Sequence, residues 1–195
     1  GRYGGGITVV HSKYVVMVNT TFYDNYGHVS GGGFYAYECH KIMFKNNKFY
    51  HSSLHKVDRP YGGGVGIDYI DKVTFDKDIF VKNQGFYGGG IYIIYGGHVI
   101  LNKAIFHYNW GKSRGGAVYA WKCDEVYGQN NLFDHNHAGT SGGGMHIEDF
   151  KCIQLNISNI FVHNYDADKP PKGAGLYVES GKKLSVVNAT FEHNC

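Results

Sequence analysis

The chain contains little proline, little arginine and no long apolar segment. Its 195 residues include 3 prolines, and the arginines are Arg2, Arg59 and Arg114. No apolar run approaches the roughly 18–20 residues of a membrane helix, and the first six residues lack the pattern of a signal peptide. The formal net charge of +3 is spread over predicted turns without a basic block. Neither a membrane span nor a nucleic-acid partner is therefore indicated.

Glycine, in contrast, is abundant, although its 29 residues do not recur at every third position as collagen requires. Seven glycine-rich triplets each precede an apolar residue, and a phenylalanine follows each triplet at a nearly constant distance. The triplets begin at Gly4, Gly31, Gly62, Gly88, Gly115, Gly142 and Gly173, and the phenylalanines are Phe22, Phe49, Phe80, Phe106, Phe133, Phe161 and Phe191. A short repeat with a fixed register is typical of a solenoid.

Each repeat alternates apolar and other residues with a period of two, which predicts strands. In each repeat, two of the residues that follow the glycine triplet are predicted to face inward. The first of these positions is occupied by Ile7, Phe34, Val65, Ile91, Val118, Met145 and Leu176. The second, two residues later, is occupied by Val9, Ala36, Ile67, Ile93, Ala120, Ile147 and Val178. A polar turn and a second strand follow, with Val15, Ile42, Val73, Val99, Val126, Ile153 and Leu184 facing inward. Stacking the repeats at a strand spacing of about 4.8 Å buries a continuous apolar column.

Two repeats are longer than the others, and both carry their extra residues after the phenylalanine, over residues 50–61 and 162–172. Insertions at one corner of a solenoid are common positions for binding loops. The repeat is in phase from one terminus to the other without a polar cap, so we expect one uncapped domain over residues 1–195. Such a chain is expected to be a fragment of a longer array or a protomer that stacks head to tail into a filament.

The phenylalanine begins a Phe-x-x-Asn element that ends at Asn25, Asn83, Asn109, Asn136, Asn164 and Asn194, and Ser52 replaces the asparagine once. Together with Gly-Gly-x-apolar elements such as Gly115 to Val118, it resembles the repeats of the chlamydial polymorphic membrane proteins and of pectate-lyase-like right-handed β-helix proteins. The resemblance covers the whole chain. It implies a secreted, surface-exposed adhesin or passenger domain, and it implies no catalytic residue.

Asparagines also recur three residues before the phenylalanine, at Asn19, Asn46, Asn130 and Asn188. Stacked asparagines hydrogen-bond their amides from coil to coil, so both sets are predicted to be structural, with the second set turned inward by the alternation. The sequons at Asn19, Asn156 and Asn188 are candidate glycosylation sites if a eukaryote secretes the chain. Asn156 is predicted to be the best acceptor.

The four cysteines are Cys39, Cys123, Cys152 and Cys195. Cys123 and Cys152 lie in nearly the same turn of adjacent coils, and the coil spacing falls within the roughly 4.4–6.8 Å range of Cα separations in disulfides. This spacing predicts a Cys123–Cys152 disulfide, with two free thiols as the alternative. Cys195 is left for an intermolecular pairing.

Histidines form one polar column, because His135, His163 and His193 each follow the repeated phenylalanine by two residues. Neutral imidazoles bind zinc or copper when they converge on a point. A straight column diverges instead, so no metal site is predicted.

Carboxylates crowd the third coil, at Asp68, Asp71, Asp76 and Asp78, near Asp58 and Arg59 of the first insertion. Enzymes that cleave polysaccharides on this kind of fold use acidic clusters with Ca²⁺ or as acid and base. Because no convergent acidic set spans neighbouring coils, solvated turn charges are the favoured interpretation. No catalytic residue and no cofactor are predicted.

One aromatic column is predicted to face outward: Tyr35, Tyr92, Tyr119 and Tyr177, with Tyr37 and Trp121 two residues further along. An exposed aromatic strip is a candidate surface for sugars or another protein. Stacking that only stabilises the sheet is the equal alternative.

The sequence thus predicts an all-β, right-handed parallel β-helix of about seven coils. Its predicted role is that of an extracellular or cell-surface, non-enzymatic structural or adhesive protein. The predicted partners are copies of itself at the open ends and a host or matrix carbohydrate or protein. A lyase or hydrolase acting on polysaccharide is the alternative from another class, and a carbohydrate-binding module that uses the tyrosine column is the third.

Overall fold

The computed structural model describes residues 3–54, 61–168 and 171–195. All regular secondary structure in these ranges is β-strand, arranged in three sheets of parallel strands. In each coil the chain passes through the three sheets in turn and then returns to the first. The predicted β-solenoid of about seven coils is confirmed.

The first sheet, here called the long sheet, holds the strands that follow the glycine triplets. They are Ile7–Val10, Tyr14–Val18, Phe34–Lys45, Val65–Asp76, Ile91–Asn102, Val118–Gln129, Met145–Leu155 and Leu176–Val186. From the second coil onward, the two predicted strands are one strand with a bend. A single residue in the left-handed region makes the bend, with φ between 49° and 59° at His11, Glu38, Tyr69, Tyr95, Lys122, Asp149 and Ser180. The residue after the bend points inward, so the observed turn is shorter than the polar turn that the sequence predicted.

The second sheet, here called the phenylalanine sheet, contains one short strand from each coil. Its strands are Thr21–Tyr23, Lys48–Tyr50, Ile79–Val81, Ile105–His107, Leu132–Asp134, Ile160–Val162 and Thr190–Glu192. The third sheet precedes the glycine triplets and holds Tyr26–Gly27, Ser53–Leu54, Gln84–Tyr87, Trp110–Arg114, His137–Ala138 and Tyr165–Asp166.

The register confirms the predicted inward positions. Phe34 aligns with Ile7 and Val65, and the seven repeated phenylalanines align with one another across both insertions. Neighbouring phenylalanine rings stack nearly parallel, with centroids 4.5–4.9 Å apart. These columns form one continuous apolar core along the solenoid axis.

Glycine is favoured in the triplets for two reasons, a positive φ at the first position and the close approach of the next coil at the second. The first glycine adopts φ between 60° and 68° in six coils, a conformation that costs other residues free energy. At the second position, a Cβ added to Gly116 would lie 2.1 Å from the carbonyl oxygen of Gly143 in the next coil.

The predicted asparagine ladder at the end of the Phe-x-x-Asn element is confirmed. Asn109 is fully buried, and its Nδ2 donates to Asn136 Oδ1 of the next coil at 3.0 Å and to the carbonyl oxygen of Phe80 at 2.8 Å. Because each amide bonds to its neighbour, the ladder satisfies the buried backbone carbonyls of this corner.

The second predicted ladder is displaced by one residue. Asn19, Asn46, Asn130 and Asn188 adopt φ of 51–54° and are exposed, so their side chains do not face inward. The left-handed corner shifts the alternation, and the next residue faces inward instead. Asn47, Asn131 and Asn159 form the ladder there, joined in the third coil by Asp78.

Candidate functional site

The predicted tyrosine face is mostly buried. Tyr35, Tyr92 and Tyr119 are 5%, 4% and 6% exposed, and Tyr177 is half-buried. Their side chains leave the strand on the outer side as predicted, but rings from the preceding corner cover them: Tyr3 stacks on Tyr35, Tyr61 on Tyr92 and Tyr87 on Tyr119. The prediction of an exposed binding face at these four residues is therefore wrong for the three buried members.

A partly exposed aromatic ladder lies nearby, at the bend of the long sheet. It consists of Tyr37, Tyr69, Tyr95 and Trp121. Tyr69 and Tyr95 stack with centroids 4.6 Å apart, and Tyr37 and Trp121 extend the row at 5.8 Å on either side. Tyr69 and Tyr95 occupy the left-handed bend position itself, while Tyr37 and Trp121 immediately precede it. Tyr69 and Tyr95 remain 45% and 36% exposed.

An open groove of about 630 Å³ runs beside this aromatic ladder, and its lining residues come from five coils. The spacing of parallel strands makes it roughly 19 Å long. The residues after the bend form its floor, and their side chains are inward-facing or absent: Cys39, Ile70 and Gly96. Gly97 also lines the groove and allows the two coils to approach closely there, since a Cβ would lie 2.3 Å from the carbonyl oxygen of Asp71.

Charged pairs that bridge adjacent coils form the polar rim of the groove. His11 Nδ1 lies 3.1 Å from Glu38, His40 Nδ1 lies 2.8 Å from Asp71, and Lys151 Nζ lies 2.8 Å from Asp124. These groups are largely exposed, so the pairs contribute little stability. They offer hydrogen-bond donors and acceptors along an apolar strip.

A cation also contacts the aromatic ladder. Lys122 Nζ lies 4.6 Å from the centre of the Trp121 ring and 5.4 Å from that of Tyr95. A lysine at this distance interacts favourably with the ring faces. The groove therefore combines aromatic, cationic and anionic groups in one line parallel to the solenoid axis.

The aspartates of the third coil do not converge. Asp68 accepts a hydrogen bond from the Tyr35 hydroxyl at 2.7 Å, and burial raises its pKa to about 6. Asp71 lies on the groove, whereas Asp78 is fully buried in the second asparagine ladder. Asp58 and Arg59 lie outside the described residues. Asp68, Asp71 and Asp78 therefore lie in three different environments.

A smaller cleft of about 280 Å³ lies where the buried tyrosine column ends. Ser141 Oγ is 2.8 Å from His146 Nδ1, His146 Nε2 is 3.5 Å from Glu148, and Arg114 donates to Glu148 at 2.7 Å. Burial lowers the pKa of His146 to about 3, which keeps the imidazole neutral. Ser141 and His146 are 4% and 1% exposed, so this arrangement continues the stacked tyrosine column with a buried polar pair at the wall of the cleft.

The predicted disulfide is not formed, and all four cysteines are free. The bend places Cys123 inward beside Phe150, whereas Cys152 aligns with Glu125, two positions further along the strand. Burial raises the pKa of the Cys123 thiol to about 12, so it is unreactive at neutral pH. Cys195 is exposed, and its intermolecular pairing stays a prediction.

The three sequons differ in accessibility. Asn19 and Asn188 are exposed at left-handed corners, and Asn156 is half-buried with its Nδ2 3.5 Å from Gln154 Oε1. Accessibility thus favours Asn19 and Asn188 over Asn156, which reverses the predicted order. Glycosylation itself stays a prediction for all three.

Comparison with known proteins addresses the fold alone. A family model described as "right handed beta helix region" matches residues 5–195. No curated protein and no solved structure matches the chain significantly. Within the described ranges, no helical segment is available to serve as a membrane span.

Proposed function

The chain belongs to the right-handed β-helix family, and from that premise we propose that it is an extracellular, non-enzymatic adhesive protein that binds an extended carbohydrate chain. The binding site is the open groove beside the aromatic ladder. The observation that carries the proposal is the row of Tyr37, Tyr69, Tyr95 and Trp121, with its two central rings exposed, along a groove that spans five coils.

The position of the two central tyrosines supports a binding role. Tyr69 and Tyr95 have φ of 59° and 53°, where asparagine, aspartate or glycine fits with less strain. A large aromatic residue in this conformation lowers the stability of the fold, and it also exposes apolar surface. A contiguous exposed apolar patch with a polar rim is typical of an interaction site.

The chemistry of the groove suits an uncharged polysaccharide. Tyrosine and tryptophan present an apolar ring with a polar edge, which matches the apolar faces and hydroxyl groups of sugars. The carboxylates of Glu38 and Asp71 already have histidine partners in the adjacent coil, so they can accept hydrogen bonds from hydroxyl groups without attracting a strong opposite charge. A polyanion would meet these carboxylates unfavourably.

The extracellular location and the adhesive role rest on the resemblance to the chlamydial repeats and on the exposed sequons at Asn19 and Asn188. A linear groove that crosses several coils suits a long polymer better than a small molecule, because each coil adds one more set of contacts. Adhesion through many weak contacts along one chain increases the total affinity.

Retention on insoluble polysaccharides tests the proposal. The purified chain is expected to bind at least one of cellulose, chitin, xylan and mannan and to ignore polygalacturonate. Tyr69→Asn combined with Tyr95→Asn should weaken binding roughly tenfold or more, since each aromatic contact contributes about 0.5–1.5 kcal/mol. Asparagine is chosen because it tolerates the left-handed conformation.

Tyr108→Asn is the matched control, since Tyr108 has φ of 52° and is 47% exposed at a different corner. It should bind as the unmodified chain does. Failure to bind any of the four neutral polysaccharides, or equal binding by the double variant, would contradict the proposal. Release of soluble sugars during incubation would instead assign the chain to the enzymatic alternative.

A second proposal is that copies of this chain associate end to end. Leu184, Val186 and Phe191 of the last coil are 48%, 39% and 47% exposed, although their register partners in the preceding coil are fully buried. A further coil from a second copy would cover these apolar groups and pair the unpaired strand edge.

Light scattering of the purified 195-residue chain tests this association. We expect the mass to rise with protein concentration and to fall to that of a monomer in Phe191→Asp, because a buried unpaired carboxylate opposes stacking. A monomer at every concentration would contradict end-to-end association without affecting the carbohydrate proposal.

A further inference from the structure

The corner that follows the phenylalanine sheet carries a column of stacked rings. Tyr108, His135, His163 and His193 occupy its left-handed position, with φ of 51° or 52°. The centroids of His135 and His163 lie 4.6 Å apart, and those of His163 and His193 lie 5.3 Å apart. This is the histidine column predicted from the sequence.

Asp134 makes one part of this column converge. It directly precedes His135 and lies in register with His107 of the preceding coil. Its Oδ2 is 2.8 Å from His107 Nδ1, and its Oδ1 is 2.5 Å from His135 Nδ1. Nδ1 of His163, in the following coil, is 3.7 Å from the same Oδ1. Three imidazoles from three coils therefore surround one carboxylate.

We propose that His107, Asp134 and His135 bind one divalent transition-metal ion, with His163 as a fourth ligand. Ligand atoms that lie about 2.0–2.2 Å from a tetrahedral ion are separated from one another by about 3.3 Å. The nitrogen-to-oxygen distances of 2.5–3.7 Å in this cluster lie on both sides of that value. The ligand atoms of His107, Asp134 and His135 all lie within 4.8 Å of one another.

Binding needs only small rearrangements. In each neutral imidazole, the proton moves from Nδ1 to Nε2, and the freed Nδ1 lone pair binds the ion. The side chains of His107, Asp134 and His135 are 37%, 20% and 40% exposed, so an ion reaches them from solvent. Their backbone positions are held by the strand pairing of the phenylalanine sheet.

The ligand set selects the class of ion. Imidazole nitrogens with one carboxylate suit zinc and copper, and Cu²⁺ binds such sites more tightly than Zn²⁺. Calcium and magnesium prefer oxygen ligands, whereas most ligands of this cluster are imidazole nitrogens. A bound ion would join three consecutive coils at a corner distinct from the aromatic groove, so this proposal is independent of carbohydrate binding.

Isothermal titration calorimetry with ZnCl₂ and CuCl₂ tests the site on the intact chain. We expect one ion per chain, tighter binding of Cu²⁺ than of Zn²⁺, and no response to CaCl₂ or MgCl₂. Asp134→Asn and His135→Asn should each weaken Zn²⁺ binding at least tenfold, because each removes a ligand. A melting temperature measured without metal shows whether each variant is folded.

Two controls separate this site from ordinary surface histidines. His193→Asn changes the same corner position in the last coil, and His98→Ala removes the histidine of another histidine–carboxylate pair, whose atoms lie 2.8 Å apart. Both should bind Zn²⁺ as the unmodified chain does. The proposal is overturned if the unmodified chain binds neither ion, or if Asp134→Asn and His135→Asn bind Zn²⁺ as tightly as the two controls.

Discussion

Asp78→Asn is expected to stabilise the protein by on the order of 4 kcal/mol at pH 8 and by very little at pH 4. Asp78 is fully buried, and its Oδ1 accepts hydrogen bonds from the backbone N–H and the Nδ2 of Asn47 at 2.7 and 2.9 Å. Its Oδ2 has no partner among the described residues. Burial raises the pKa of this carboxyl group to about 7.

The direction of the pH effect follows from this pKa. The folded chain holds the proton up to about pH 7, whereas the unfolded chain releases it near pH 4. The stabilisation linked to this proton is complete below the unfolded pKa, and it is lost as pH rises through the folded pKa. A difference of about three pKa units corresponds to roughly 4 kcal/mol.

Asparagine at this position avoids the ionisation. Asn47 and Asn131 occupy the same place in other coils, where Nδ2 donates to the carbonyl oxygens of Met17 and Leu101. Phe44 holds the corresponding position beside Asp78, so its carbonyl oxygen is the expected acceptor. The substitution extends the ladder in a form that is neutral at every pH.

Urea unfolding between pH 4 and pH 9 measures the effect. The unmodified chain should lose stability as pH rises through 7, and Asp78→Asn should lose much less. Asp68, whose pKa burial raises to about 6, leaves a smaller loss in both. Asp71→Asn, at an exposed position, is the control and should retain the full pH dependence. Equal pH dependence in Asp78→Asn and the unmodified chain would contradict the assignment.

Phe106→Ala is expected to cost about 3–5 kcal/mol of unfolding free energy. The ring is fully buried and stacks against Phe80 and Phe133, with both centroid distances 4.9 Å. Alanine would leave a cavity in the middle of the column, and the fixed backbone of adjacent coils prevents its collapse. The substitution also interrupts the contact of one coil with both neighbours, on which a solenoid depends.

Phe191→Ala is the matched control, because Phe191 belongs to the same column but is 47% exposed in the last coil. At concentrations at which the chain is a monomer, it should cost about 1–2 kcal/mol, since roughly half of the apolar area is then in contact with water. Urea unfolding of both variants decides the question. Similar losses in the two variants would show that the phenylalanine column does not form a continuous core.

The fold was predictable because each repeat contains two independent signals for it. The spacing from glycine triplet to phenylalanine places Phe49 and Phe80 in register despite the insertion between them, and the alternation after each triplet identifies the inward residues. Both signals depend only on local sequence and on the period of a strand. The only long-range contacts that had to be predicted are those between successive coils, and these follow from the constant repeat.

The candidate site was only partly predictable, because single left-handed residues change the alternation, and residues as different as Glu38, Tyr69 and Lys122 hold the bend. Glu38 and Asn46 occupy such corners, and neither is glycine. The shift moved Cys123 inward, away from Cys152, and it moved the second ladder from Asn46 to Asn47. The bend lies at the seventh residue after the first glycine of each triplet. A prediction based on this position would identify Tyr69 and Tyr95 as neighbouring outward-facing residues of adjacent coils.

Two further features depended on contacts between coils. Tyr35 points outward as predicted, yet Tyr3 covers it from the preceding corner, and alternation within one strand does not report such cover. The histidine column was predicted to diverge, and it converges at Asp134 because His107 belongs to another position of the repeat. Both are properties of neighbouring coils that no single repeat contains.

The most direct test of the carbohydrate-binding groove uses the fluorescence of Trp121, one of 2 tryptophans in the chain. In a Trp110→Phe variant, Trp121 alone reports on the end of the aromatic ladder. Titration with hexasaccharides of cellulose, chitin, xylan and mannan should produce a saturable change in emission with at least one of them, and Tyr69→Asn with Tyr95→Asn should shift its midpoint to a roughly tenfold or higher sugar concentration. An emission spectrum that none of the four hexasaccharides changes would contradict the account.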